Sequence, residues 1–462
     1  MRIEDAPPSG GGEGTTWPAA RKAGALVFVG GHTPHDPATG RLVLGTADLP
    51  GDAAASLRAS VLFTEVVAGR LRAQTWRVLL NLQQTLERTG SSIRHVVHIR
   101  VFLHDVADEG PVLDLLRRFF GDDLCSGEVV EARNEGSDPE ILVQMDCVAL
   151  SVDAGRTEHA WVAGLEPLTA PFPTVTKAGG FLFSSQLAGA DPATGEPVIA
   201  GRQLSPRAAA LLGPLAQQAT RLHLPFFLQQ AVMWEHLLAI LTAFGVDWKS
   251  TLYHMNWMRR PMRVFADGSV TRRIMEHTGD YLLTCFPTSG LGVPGAEIAG
   301  RIVAILPESG MRKDIRVPIH GISNSYFGAI KAGPYLFAAG EVPIDTRAWT
   351  LVDRAERLEA PRHRLAFGRP YPTAPILPQA HYIYSLYEQT MAAYGGSLAD
   401  GVHQTVYLCH AGDGPALEGV IADRFAGRPP ATTIVPITGA SPFAGTRLEL
   451  EMAAYLGPGD RS

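Results

Sequence analysis

Residues 331–341 read Lys-Ala-Gly-Pro-Tyr-Leu-Phe-Ala-Ala-Gly-Glu, and the same opening occurs twice earlier in the chain. Lys22-Ala23-Gly24 leads into ALVFVGG, and Lys177-Ala178-Gly179 leads into GFLFSSQ. An aromatic residue stands seven positions before each of these glycines: Trp17, Phe172 and Tyr326. Asp36–Gly40 and Asp191–Gly195 both read Asp-Pro-Ala-Thr-Gly, which suits a hairpin turn; the third stretch keeps only Ile344-Asp345-Thr346. Self-similarity at a fixed period marks a repeated structural unit, and the period here is about 155 residues.

Working outward, each copy carries a long amphipathic segment ending in glycine: QTWRVLLNLQQTLERTG, QAVMWEHLLAILTAFG and QAHYIYSLYEQTMAAYGG. Val78, Leu79, Leu82 and Leu86 keep the spacing of one helix face, and Gly90 suits a C-terminal cap. A strand follows each helix: VVHIRVFLHD, LYHMNWMRR and VHQTVYLCH. Then come a shorter helical stretch (Val112–Phe120, Arg272–His277, Ala416–Phe425) and a closing strand (ILVQMDCVALSV, EIAGRIVAIL, RLELEMAAYL). The order β-β-α-β-α-β predicts three α/β units, 1–155, 156–312 and 313–462, each a sheet with helices on one face. The bare sheet face is best covered by the equivalent face of another copy. Three copies are therefore expected to close around a central barrel as an intramolecular pseudo-trimer.

First-copy residues GALVFVGGHTPHDPATG, NLQQTLERTGSSIRHVVHIRVFLHDV and LVQMDCVAL resemble the strand–turn, helix–strand and closing-strand signatures of the RidA (YjgF) family. The match is clear in copy three and weaker in copy two. The resemblance implies a chorismate-mutase-like fold, normally a homotrimer with ligand sites in the clefts between subunits. It also implies cofactor-independent hydrolysis of reactive enamines and imines, with release of ammonia and a keto acid. In a fused chain the clefts would lie between repeats of one monomer. Fusion would then free them to diverge, because symmetry no longer forces identical sites.

The family's carboxylate-gripping arginine follows a Phe-Pro-Ala-type turn. Phe286-Pro287-Thr288-Ser289 and Pro430-Ala431-Thr432-Thr433 put Ser289 and Thr432 in its place, and in copy one the nearest arginine is Arg133, several residues late. A site of the usual kind for 2-imino acids is therefore not expected. The family's closing-strand glutamate is kept as Glu449, with Glu451 beyond it; copy one has Gln144 and Asp146, and copy two offers only Glu297 or Arg301. The family's Ser-Gly-Gln becomes Gly30-Gly31-His32, Ser184-Ser185-Gln186 and Ala339-Gly340-Glu341. Glu449 and Glu341 are thus the candidate catalytic residues, one of them as a base. His32, Ser184, Gln186, Gln144, Thr432 and Ser289 are candidate substrate contacts, together with the aromatics Trp17, Phe172 and Tyr326, which match a tyrosine lining the family's cleft. The competing reading places Glu449 and Glu451 on a solvent-facing edge strand, Glu341 at a turn, and the aromatics in a core.

A gapless alignment of the strands after the long helices puts His98, His254 and His403 in one column. Three converging imidazoles are a known metal set; the alternative leaves each separately at an interface. No metal and no cofactor are assigned. The segments Arg41–Arg72, Glu196–Leu228 and Trp349–Leu377 exceed the family's usual length and read as lids over the clefts or braces between copies.

Bulk composition bounds the partners. The chain has 462 residues, 46% hydrophobic and 19% charged, with a formal net charge of −6, so nothing draws it to nucleic acid or an anionic membrane. No apolar run approaches a membrane span. Cys125, Cys147, Cys285 and Cys409 form no CxxC pair, and no apolar leader precedes the first copy; both fit a cytoplasmic protein. A small-molecule substrate is the expected partner. Two functions follow: an enzyme performing hydrolysis, elimination or cyclisation on a small reactive metabolite, with biosynthesis as one setting, or a non-catalytic pseudo-trimer that binds a metabolite or protein.

Overall fold

The computed structural model describes residues 3–6, 17–58, 64–133, 138–260, 281–316, 328–354, 357–358, 374–440 and 443–457. The first sheet contains β1 (Ala20–Ala23), β2 (Leu26–His32), β3 (Val96–Leu103), β4 (Ser126–Glu131) and β5 (Val143–Leu150). Helix α1 (Thr64–Arg88) joins β2 to β3, and α2 (Glu109–Phe120) joins β3 to β4. The second sheet repeats this as β6 (Val175–Ala178), β7 (Phe181–Ser184), β8 (Thr251–Met258), β9 (Leu282–Pro287) and β10 (Ile298–Ile305), with α3 (Pro225–Ala243). The third has β11 (Ala329–Ala332), β12 (Tyr335–Glu341), β13 (Gly401–Leu408), β14 (Ala431–Pro436) and β15 (Leu448–Tyr455), with α4 (Ile376–Ala393) and α5 (Gly414–Arg424).

Strand order is the same three times: β1-β2-β5-β3-β4, β6-β7-β10-β8-β9 and β11-β12-β15-β13-β14. The last strand of each row runs parallel to its neighbour. A parallel pair needs a crossover, which α2 and α5 supply in the first and third units. This parallel strand is an addition to the β-β-α-β-α-β reading. The short helix expected at Arg272–His277 lies outside the described residues.

Register fixes which residues are equivalent. His98 pairs with Ser126 and Val148, His403 with Ala431 and Ala453, and the same two places in the second sheet belong to Tyr253, paired with Leu282 and Val303. His254 is therefore one residue out of column. A one-residue offset sends a side chain to the opposite sheet face. His254 lies under α3, with its ring 4.3 Å from that of Trp234, and a Cβ on Gly300 would come 3.1 Å from its Nε2. The three-histidine column is corrected accordingly, and among the described residues no group of three or more His, Cys, Asp or Glu is placed to hold a metal ion.

Period-two alternation divides each sheet between two cores. In β3, Ile99, Val101 and Leu103 face α1 and α2, and equivalent faces of the other sheets meet α3 and α4. The opposite faces of all three sheets share one cluster, which includes Phe28, Phe102, Phe183, Trp257, Phe286, Tyr335 and Tyr407. Trp257 stands 5.3 Å from Phe286 in a tilted pair and 5.7 Å from Tyr407 edge-on, so second- and third-sheet rings pack together. Polar ties join the copies as well: Tyr335 donates to Ala23 O at 3.0 Å, and Glu131 N donates to Gly290 O at 3.1 Å.

The described parts of the added segments pack on their own copy. Val43, Leu49 and Leu57 cluster with Ala73 and Leu115, while Ala208, Leu212 and Ala219 pack against Leu228 and Val232 of α3. Most of Trp349–Leu377 lies outside the described residues. Among the described residues no helix is long and apolar enough to cross a membrane.

Candidate functional site: three clefts between copies

In each unit the last parallel strand lies against the first hairpin of another copy, which makes three comparable clefts. Between the second and third copies, Thr284 of β9 faces β12, and Gly340 N donates to its Oγ1 at 3.0 Å. The Glu449 carboxylate lies against Gly340 so closely that a Cβ there would collide with it and with the Thr284 methyl. Glu341, the next residue, is also buried. Tyr387 of α4 donates to Ala339 O at 2.8 Å and also to Leu450 O, fastening β12 to β15 where their pairing shifts register. The strands carrying the two glutamates are thus held from behind.

Burial pushes the Glu341 carboxyl up to about 8. Burial also pushes Glu449 well above the usual carboxylate range, with further repulsion from Glu451 and Glu341. Removing a carboxylate from water disfavours its charged form, and a like charge nearby adds to the effect. Glu451, two residues on, is tied up: it accepts from the Tyr407 hydroxyl at 2.8 Å, from Arg100 Nη1 at 3.2 Å, and from the Tyr253 hydroxyl. The cleft therefore has two proton-holding acids backed by one committed carboxylate.

Between the third and first copies, the same positions hold Gln144, against Gly31 and the Thr433 methyl, and His32. Burial pulls the His32 imidazole down to about 4, so it is neutral at physiological pH. Trp17 packs on the edge of the third copy's core. Thr432 is used within its own sheet: its hydroxyl donates to Pro430 O at 2.9 Å and accepts from Gln404 Nε2 at 3.0 Å.

Between the first and second copies, Phe172 covers Gly127, where an added Cβ would come 2.5 Å from the ring. Gln186 N donates to Gly127 O at 3.0 Å. An open volume of about 260 Å³ lies here, lined by Phe172, Gln186, Thr169, Leu291 and Glu109. Burial pushes Glu109 up to about 7. Nothing in the sequence around the start of α2 singled out this residue.

Register corrects three further site expectations. Leu283 and Gly127, rather than Ser289, share the place of Thr432; Ser289 lies beyond the end of β9. Leu187 is the counterpart of His32 and Glu341, because these three pair with Gly300, Met145 and Leu450. The second-copy triplet was therefore set one residue early, and Gln186 corresponds to Gly31 and Gly340. Ser184 is a strand residue whose Oγ accepts from Ile302 N at 2.9 Å, outside the cleft. Ala299 stands where Gln144 and Glu449 do, so Glu297 and Arg301 flank that place. Arg133 pairs with Glu131 at 2.7 Å. Tyr326 lies outside the described residues.

No family model matches the chain. A RutC family protein of Pyrococcus abyssi is 28% identical over 130 residues, which are 28% of this chain and 82% of that protein. The protein DfrA of Myxococcus xanthus is 31% identical over 131 residues, 28% of this chain and 79% of its own length. Among solved structures, a YjgF family member of Neisseria meningitidis is 20% identical, with 33% of this chain and 98% of that chain covered and a TM-score of 0.24. A chorismatase is 11% identical, with 78% and 93% covered and a TM-score of 0.42. Each sequence relative is matched over most of its length by less than a third of this chain, as expected of a repeated unit.

Proposed function

Because this chain belongs to the RidA/RutC (YjgF) family, as tandem diverged copies of its unit, we propose that it is a cofactor-independent enzyme acting on a small reactive metabolite in the cleft between its second and third copies. The observation that supports this most is the burial of Glu449 against Gly340, with Glu341 next along that strand, both carboxyls being pushed toward the protonated form. Burial raises each carboxyl, and the charges of Glu451 and Glu341 add to the rise at Glu449, which favours a protonated acid near neutral pH.

Enamine or imine hydrolysis suits a carboxyl that keeps its proton near neutral pH. The protonated member gives its proton to the enamine carbon as the C=N bond forms. The resulting carboxylate takes a proton from water as the water oxygen bonds to the imine carbon. That proton then passes to nitrogen, and as the C–N bond breaks and ammonia leaves, the carbinolamine hydroxyl gives its proton to the carboxylate, which forms the carbonyl product and restores the acid. Elimination or cyclisation would need one proton taken from the substrate and one returned to it, with no water.

Leu283 stands at the family's arginine position in this cleft and packs into the second copy's core. No guanidinium there awaits a carboxylate, which favours a substrate without one at that end and a specialised, biosynthetic role. We read the units as 1–155, 156–312 and 313–462, closed as a pseudo-trimer within a monomer. Four free cysteines suit a cytoplasmic setting. The test is ammonia release from a neutral ketimine and from a 2-imino acid, each generated in situ. The wild type should accelerate the ketimine more, and Glu449→Gln should abolish the effect. Acceleration of neither compound, or an unaffected Glu449→Gln protein, would refute the assignment.

A further inference from the structure

The three inner sheet faces leave a chamber of about 110 Å³ at their meeting point, apart from the clefts. Its wall is built in matched levels. Phe28, Phe183 and Phe337 occupy one register position of the three sheets, and Val148, Val303 and Ala453 stand opposite them. His98, Tyr253 and His403 form a third level, with the His98 ring 6.5 Å from Phe183 and the His403 ring 6.4 Å from Phe28. Protein cavities of this order hold a single aromatic ring; an apolar one of about 150 Å³ takes up benzene.

Two wall atoms lack a hydrogen-bond partner, His98 Nε2 and Arg301 Nε. Ser126 Oγ donates its only proton to Val97 O at 2.9 Å, so toward His98 Nδ1, at 3.1 Å, it can only accept. The ring proton is thereby placed on Nδ1, which leaves Nε2 as a lone-pair acceptor. Nε2 is buried and has no hydrogen-bond partner. Burial and the nearby guanidiniums hold the imidazole neutral. A buried acceptor without a donor is costly, and the chamber supplies the space for one.

Charge narrows the occupant. Arg100 is held by Asp146 at 2.5 Å and by Glu451 at 3.2 Å, and Arg301 lies 3.2 Å from Glu128. Every guanidinium on the wall has its carboxylate, so no spare cation is offered to an anion. We propose that the chamber is a second ligand site, for a neutral single-ring molecule bearing one hydroxyl, its ring among Phe28, Phe183 and Phe337 and its O–H donated to His98 Nε2. This is independent of chemistry at Glu341 and Glu449.

Phenol is the probe and toluene the control of equal shape without the donor. Isothermal titration of the full chain should show one phenol per chain and toluene binding roughly tenfold weaker. Ala453→Leu, which fills the chamber, should abolish phenol binding, with Val148→Phe as the alternative blocker if the first fails to fold. His98→Leu should bring phenol and toluene to the same affinity. No phenol binding by the folded wild type, equal affinity for toluene, preference for trimethylammonium, or phenol binding that survives a folded blocking variant would each overturn the proposal.

Discussion

The cleft between the second and third copies and the cleft between the third and first copies use the same strand positions. One holds Glu341 and Glu449, and the other holds His32 and Gln144. In both, a glycine on the first hairpin (Gly340 or Gly31) lets the closing-strand side chain lie flat against the backbone. The backbone solution is shared and the chemistry is not. The acids are pushed toward protonation, whereas the imidazole is pulled down to about 4 and the amide does not titrate. In the remaining cleft these positions are Leu187 and Ala299, and Glu109, raised to about 7, reaches it from α2 instead. A homotrimer must repeat one site three times; a fused chain need keep acid–base chemistry only once.

The largest effect that could break this comparison is on turnover. Glu449→Gln should lower it by about 100-fold or more, the range of one general acid–base group, while Gln144→Ala in the companion cleft should leave it unchanged. Equal losses from both variants in a steady-state assay would remove the distinction between clefts. Next in size, Gly340→Ala should cost on the order of 10- to 100-fold in rate by displacing Glu449, with folding intact by circular dichroism. Gly31→Ala should crowd Gln144 without affecting rate.

The third prediction concerns pH. Glu341 has its folded-state pKa at about 8, above the usual 4.5, so the folded protein holds a proton that the unfolded chain releases. Its contribution to stability is fully present below about pH 4.5 and is lost as pH rises through about 8. Glu341→Gln should therefore flatten the fall in melting temperature over that window, by about 1.4 kcal/mol per unit of pKa displacement. Activity that needs the protonated pair should decline over the same alkaline limb. The smallest effect is expected from Thr284→Val, which removes the hydroxyl partner of Gly340 N and should cost about 1 kcal/mol in chemical denaturation.

Much of the fold could be read from the sequence because repetition amplifies weak signals. The Lys-Ala-Gly openings, the glycine-ended helices and the alternating closing strands each recur three times, so their coincidence outweighs any single propensity. The positions of Glu341 and Glu449 came from the family resemblance, and the structure buries both. Errors fell where a strand's face depends on one residue. His254 was aligned with His98 and His403, yet a register shift between Thr251 and Tyr253 sets the pairing, and Tyr253 takes the inner place. Ser184 and Gln186 were misplaced in the same way, by one residue in a hairpin containing Gly179 and Gly180. Ser289 followed a Phe-Pro motif that lies at the end of β9 instead of its start. Glu109 and Arg100 gave no advance signal, because Gly292 beside the first and Tyr407 and Glu451 beside the second come from other copies and only folding brings them together.

The central claim is that one cleft keeps a carboxyl pair that holds a proton at neutral pH. Infrared difference spectroscopy of the protonated carboxyl stretch, followed from pH 5 to 10, tests it most directly. A band that titrates near pH 8 and disappears in both Glu341→Gln and Glu449→Gln would bear the account out. Carboxyls fully ionised by pH 6 in the wild type, or a band unchanged in both variants, would contradict it.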